Sequence, residues 1–140
     1  MKPMGTEKKK LLLATRNPGK AREFARLFAG APYALVSLAH ARIAIEVQET
    51  GRTFEENARL KASGYSAASD LLTLADDSGL EVDALGGEPG VMSARYGGQD
   101  LSDQDRVRVL LARMKNVPGW KRQARFRAVL ALAGPGVPGG

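Results

Sequence analysis

Asp76 and Asp77, followed directly by Ser78 and Gly79, are the residues of this chain whose types and spacing best suit chemistry. They follow the apolar run Leu71-Leu72-Thr73-Leu74-Ala75, whose length and flanks predict a buried strand. Neighbouring carboxylates repel, so a pair leaving a strand end needs a cation, a shared proton or open water. A divalent metal meets that need, because Mg2+ takes hard oxygen ligands and often sits between one or two carboxylates and phosphate groups. A solvated Asp-Asp-Ser-Gly turn is the simpler alternative.

A second candidate lies near the start of the chain. Lys10 to Thr15 reads as a continuous, buried strand. After it come Arg16-Asn17-Pro18-Gly19-Lys20 and a helix with Ala21, Phe24, Ala25 and Phe28 at i, i+3, i+4 and i+7. Strand, short glycine-containing loop and helix together offer backbone N–H groups and a positive helix end to an anion. Lys20 opposes the helix dipole unless a phosphate sits beside it. Asn17 can supply an amide donor, and Pro18-Gly19 set the turn. The spacing is neither that of the triphosphatase phosphate loop nor the dinucleotide glycine fingerprint, and an ordinary strand–helix loop remains the alternative.

The remaining elements position these two stretches. Tyr33 to Ser37 predicts a strand and Ile43 to Val47 a short further one. Thr53 and Glu56 form a capping box for a helix with Phe54, Ala58, Ala62 and Tyr65 on its apolar face. Asn57 and Lys61, one turn apart, are expected to look into the cleft that holds Asp77; an exposed lysine is the plainer reading of Lys61. Gly79 to Leu85 alternates as a half-exposed strand, and 86–90 is a loop. Ser93 to Gly98 fits a turn or a short helix. Ser102 with Asp105 caps a helix carrying Val107, Leu110, Leu111 and Met114 on one face, and Ala124 to Ala133 is the last strand. The Gly/Pro-rich 134–140 is expected to be a disordered tail.

One domain of about this size can bury a core, and 140 residues leave little room for two. No cysteine is present, which fits a reducing cytoplasm, and no apolar run is long enough for a membrane span. A net charge of +6 invites a nucleic-acid reading. The charge is dispersed, however, from Lys8-Lys9-Lys10 to Arg106, Arg108, Arg113, Lys115, Lys121, Arg122, Arg125 and Arg127, with few aromatics between. A solvated basic face is the preferred reading, with neither nucleic acid nor membrane as partner. His40, the single histidine, lies outside every motif and is given no role.

Taken in order, 14–20, 49–58, Lys61-Ala62, 75–80, 85–91 and 93–96 resemble the inosine triphosphate pyrophosphatase family, also called Ham1-like. The resemblance runs from Leu11 to about Ala133. It implies an α/β fold, a mixed twisted sheet flanked by helices, with two lobes around a central nucleotide-binding cleft and assembly as a homodimer. It also implies Mg2+-dependent hydrolysis of ITP, dITP and XTP to the monophosphate and pyrophosphate, removing these purine nucleotides from the pool. On that likeness Thr15, Arg16, Asn17, Pro18, Gly19 and Lys20 hold the triphosphate, with Lys61 adding charge. Asp77 is the general base on water and approaches the metal, Ser78 touches the substrate, and Glu49 completes the metal site, ahead of Gln48 and Glu46. Family members carry two further segments, Phe-Gly-Tyr-Asp-Pro-like and Ser-His-Arg-like, that grip the base; neither is in this sequence. The expected organisation is therefore a basic extension over 1–9, an incomplete pyrophosphatase domain over 10–133 and the tail. A nucleotide- or polyphosphate-binding module without catalysis is the alternative, and a nucleic-acid-binding protein a third reading.

Overall fold

Three consecutive leucines in a strand must be covered on both faces, and that is how β1 (Lys9–Leu13) is built: Leu11, Leu12 and Leu13 are all buried. The computed structural model of the chain describes residues 8–138; residues 1–7 of the expected extension, and 139–140 of the expected tail, lie outside the described residues. After β1 come α1 (Pro18–Leu27), β2 (Tyr33–Ser37), α2 (Phe54–Ser69), β3 (Leu72–Val82), α3 (Asp103–Arg113) and β4 (Ala124–Ala133). The four strands lie in the order β2-β1-β3-β4. β1 runs parallel to β2, with Leu11 opposite Leu35, and parallel to β3, with Leu13 opposite Leu74. At the far edge, Asp83 N–H donates to the Gln123 carbonyl at one end of the β3–β4 pair, and Gly134 lies against Leu71 at the other. That crossing of ends makes β4 antiparallel to β3, and the sheet mixed.

The chain divides into two compact units. Of the described residues, the first holds 8–51, 55–76 and 130–138; the second holds Arg52–Phe54 and Asp77–Val129. In the first unit the sheet is a middle layer. One face buries Leu11, Leu13 and Leu74 under Phe24 of α1, with Phe28 set edge-on to Tyr33. The other buries Leu12, Ala14 and Ala75 under Ala62 and Tyr65 of α2. Each fully covered leucine adds about 2 kcal/mol relative to exposure, so the odd–even alternation of β1 holds both helices in place. Phe54, Ala58, Ala62 and Tyr65 are buried, as their spacing predicts.

Three expectations about local structure need correction. The carboxylate pair does not end a strand: β3 runs unbroken from Leu72 to Val82 through Asp76, Asp77, Ser78 and Gly79. A strand alternates sides, so the two carboxylates point to opposite faces of the sheet and their mutual repulsion is relieved by geometry. The expected short strand over 43–47 does not form; this stretch is an irregular strap. Third, only part of the expected α3 face is covered: Met114 is buried and Leu110 partly buried, while Val107 and Leu111 are about half exposed.

Polar contacts also hold α3. Arg106 donates to the carbonyls of Ala94 and Gly98, and Arg113 to Tyr96 Oη at 2.7 Å and to Glu88 at 2.9 Å. The Ser102–Asp105 capping box forms as its spacing predicts, and the undecided 93–98 stretch begins inside a 3-10 turn, Gly90–Arg95. Arg122 donates to the Met114 and Val117 carbonyls, and Arg125 and Arg127 pair with Asp83 and Glu81. Much of the basic charge is thus spent on stitching the second unit together. Beyond β4 the chain turns, with Val137 N–H bonded to the Gly134 carbonyl. No helix among the described residues is long and apolar enough to cross a membrane.

The Arg113 hydrogen bond, and then its charge, hold the Glu88 carboxyl below its ordinary value of 4.5. Glu88 binds its proton less readily folded than unfolded, so the stability it contributes is present above pH 4.5 and fades as pH falls through the lower folded value. Glu88→Gln is expected to unfold slightly below the parent at pH 7, the gap closing as pH falls below 4.5. Thermal unfolding across that range checks it; a gap of constant size would remove the pair's role.

Candidate active site

The loop between β1 and α1 leaves the carboxyl end of a central parallel strand, the usual ligand-binding edge of an α/β sheet. Asn17 is the N-cap of α1 and Pro18 its first residue, where a missing N–H costs nothing. Asn17 Oδ1 accepts from the backbone N–H of Gly19 at 2.8 Å and of Lys20 at 3.2 Å. Asn17 N–H in turn donates to Thr15 Oγ1 at 3.1 Å. The cap therefore occupies two of the amides expected to cradle an anion. A cavity of about 290 Å3 lies against Thr15, Arg16, Asn17 and Pro18, with Ser37 and Ala39 at the end of β2 on its other side.

Lys20 is an unusual choice for the first turn of a helix that has no acidic residue there. Its ammonium lies 2.7 Å from Asp76 Oδ2, a carboxylate nearly fully buried. Parallel pairing of β1 with β3 sets this up: Leu13 faces Leu74, so Thr15 and Asp76 leave the pair side by side. Asp76, given no role of its own in the sequence, is the counter-charge that the phosphate was expected to supply. The signal was legible in part, since an uncompensated lysine at a positive helix end demands an anion.

Lys61 and Glu49, both expected in the site, meet directly. The ammonium and Glu49 Oε1 are 2.9 Å apart, with the side chains 13% and 32% exposed, so water screens this pair less than a surface pair. Asn57 is not in the cleft where it was expected. It is fully buried and grips Gly51, accepting from its N–H at 2.7 Å and donating back to its carbonyl at 3.4 Å. Arg16 reaches across the strap, its Nη2 donating to the carbonyls of Ile43 and Ile45 at 3.3 and 2.9 Å. One guanidinium arm is thus structural, and the sequence held no sign of it.

In the second unit, Asp77 is buried at 7% exposure and Ser78 half-buried beside it in β3. Asp77 takes part in polar contacts, while its Oδ2 is enclosed and receives no hydrogen bond. His40 is exposed, on the rim of a different cavity with Lys10 and Ser69.

Fold and site define a class: α/β proteins with a lysine set against a carboxylate where a parallel strand pair ends. Within it the chain belongs to the Ham1 family, whose sequence pattern matches residues 11–139. The dITP/XTP pyrophosphatase of Symbiobacterium thermophilum is 56% identical over 127 residues, 91% of this chain and 62% of the relative. That of Bacillus subtilis is 44% identical over 128 residues, 91% and 65% of the two chains. Among solved structures, the Staphylococcus aureus Ham1 protein superposes with a TM-score of 0.80 at 40% identity, covering 91% of this chain and 64% of that one. The HAM1 protein from Coxiella burnetii gives 0.82 at 34% identity, over 89% and 62%. The chain thus spans less than two thirds of the length of these relatives.

Proposed function

We propose that this chain carries the phosphate and metal part of a pyrophosphatase that hydrolyses ITP, dITP and XTP to the monophosphate and pyrophosphate, clearing them from the nucleotide pool. The observation that carries the reading is the pair of lysine–carboxylate contacts, Lys20–Asp76 and Lys61–Glu49, in a chain whose relatives bear the name dITP/XTP pyrophosphatase. A triphosphate is a strong anion, and a lysine held by a carboxylate is pre-positioned yet able to exchange partners. Phosphoryl chemistry asks a protein chiefly for positioning and charge neutralisation.

Thr15, Arg16, Asn17, Pro18, Gly19 and Lys20 hold the phosphates in this reading, Lys61 adds positive charge, and Ser78 touches the substrate. Asp77 accepts the proton of the attacking water. Glu49 and Asp77 are the carboxylates offered to Mg2+. Their hard oxygen donors fit that ion, and no group of three His, Cys, Asp or Glu forms a closed metal cage among the described residues. A Mg2+ ion that draws most of its shell from phosphate oxygens and water suits such a donor set. When bound, it would lower the barrier to water ionisation and neutralise charge on the phosphates. A cytoplasmic homodimer is the form we propose for the active protein.

The test is product analysis with inosine triphosphate and Mg2+ on protein of verified mass. Pyrophosphate and monophosphate in equal amounts, lost on chelation, are expected. Orthophosphate as the product would overturn the reaction class, and tight triphosphate binding without turnover would leave a binding module in place of an enzyme.

A further inference from the structure

The strap Val47-Gln48-Glu49-Thr50-Gly51 has no strand partner and no helix of its own, yet it carries Glu49. Its contacts fall on one stripe of α2. Asn57 bonds both backbone groups of Gly51, Lys61 pairs with Glu49, Gly64 receives Val47, and Tyr65 Oη accepts from Val47 N–H at 3.2 Å. Positions 57, 61, 64 and 65 are i, i+4, i+7 and i+8, one line along a helix. Gly64 is the unusual member, since a mid-helix glycine costs about 1 kcal/mol relative to alanine. A β-carbon there would lie 2.6 Å from Val47 Cγ2 and 3.3 Å from Cγ1. A valine is stiff about χ1, so those methyl groups would have to carry the backbone with them.

We propose that Gly64 and Tyr65 are positioning residues: the missing side chain of one and the hydroxyl of the other seat Val47 on α2, and so fix Glu49 against Lys61. The functional half of this inference rests on the reading of Glu49 and Lys61 given above; the structural half does not. Gly64→Ala pushes Val47 off the helix, and Tyr65→Phe removes the hydroxyl contact without adding bulk. Val47→Ala in the Gly64→Ala background removes both clashing methyl groups and makes room for the new β-carbon.

Two measurements on the whole chain test it: amide hydrogen exchange followed residue by residue without ligand, and calorimetric binding of inorganic tripolyphosphate with Mg2+. Gly64→Ala is expected to speed exchange at Val47 and Gly51 about tenfold, and to weaken tripolyphosphate binding about tenfold. The double variant is expected to return both within about twofold of the parent. Tyr65→Phe is expected to speed exchange at Val47 and to weaken binding in the same direction, and it decides the matter if Gly64→Ala does not fold. Parent-like exchange at Val47 in Gly64→Ala and Tyr65→Phe would overturn the proposal, as would a Gly64→Ala defect that the double variant leaves unrepaired. Failure of the parent to bind tripolyphosphate would sink the phosphate reading of the site, with the exchange data still deciding the positioning role.

Discussion

Asp77→Asn is expected to lower turnover of inosine triphosphate with Mg2+ by about a thousandfold or more, since a positioned general base contributes about 10² to 10⁴ and the same change removes a charge offered to the metal. Asparagine has the shape of aspartate but cannot accept the proton. Asp77 is buried in the middle of β3, and an isosteric change there leaves the strand's pairing intact. Thermal unfolding should therefore stay close to that of the parent. Asp76→Asn is the informative comparison. Its side chain faces the other side of the sheet and is matched to Lys20, so its loss should weaken triphosphate binding more than it slows the chemical step. Steady-state kinetics separates the two, as a change in kcat for one and in KM for the other. Normal turnover in Asp77→Asn would remove the role given to that residue.

Gly79→Ala is expected to be the most destabilising single methyl addition in the second unit, by about 3 kcal/mol. The residue sits inside β3, where a glycine normally weakens a strand. Close approach explains it: a β-carbon would stand 2.5 Å from the Gly90 carbonyl oxygen and closer still to Ser93 Oγ. That hydroxyl cannot swing away cheaply, because it accepts from Leu80 N–H at 2.9 Å and donates to the Gly90 carbonyl at 2.6 Å. Adding Ser93→Ala should relieve only part of the loss, since the Gly90 carbonyl remains in the way. Urea unfolding of the three variants checks this, and a Gly79→Ala protein as stable as the parent would show that the 3-10 turn yields easily.

Periodic segments were readable, and segments stabilised by distant partners were not. The three leucines of β1, the Phe54–Tyr65 face of α2 and the Ser102 capping box state their roles locally. The stretch 43–47 has alternating Ile43, Ile45 and Val47 and looks like a strand. Its backbone, however, is satisfied by side chains: Arg16 on the carbonyls of Ile43 and Ile45, and Tyr65 on the N–H of Val47. Asp-Asp-Ser-Gly has the composition of a turn, yet Lys20 and the Gly79–Ser93 contact keep it extended from 56 and 14 residues away. Near the candidate site, the helix start at Asn17-Pro18 and the helix that carries Lys61 were legible by type and pattern. That Asn17 would cap its own helix and Asp76 would answer Lys20 depended on parallel pairing that no local pattern announces.

Because β3 alternates sides through Asp76 and Asp77, what each carboxylate does depends on whether its position counts as odd or even from Leu72. Substitutions within the strand leave that parity alone. Deleting one residue between Leu72 and Ala75 reverses it, presenting Asp77's chemistry to Lys20 and Asp76's to the opposite face. Descent within this fold can therefore rewrite the letters of the strand far more freely than its length, and length variation should collect in the loops outside it.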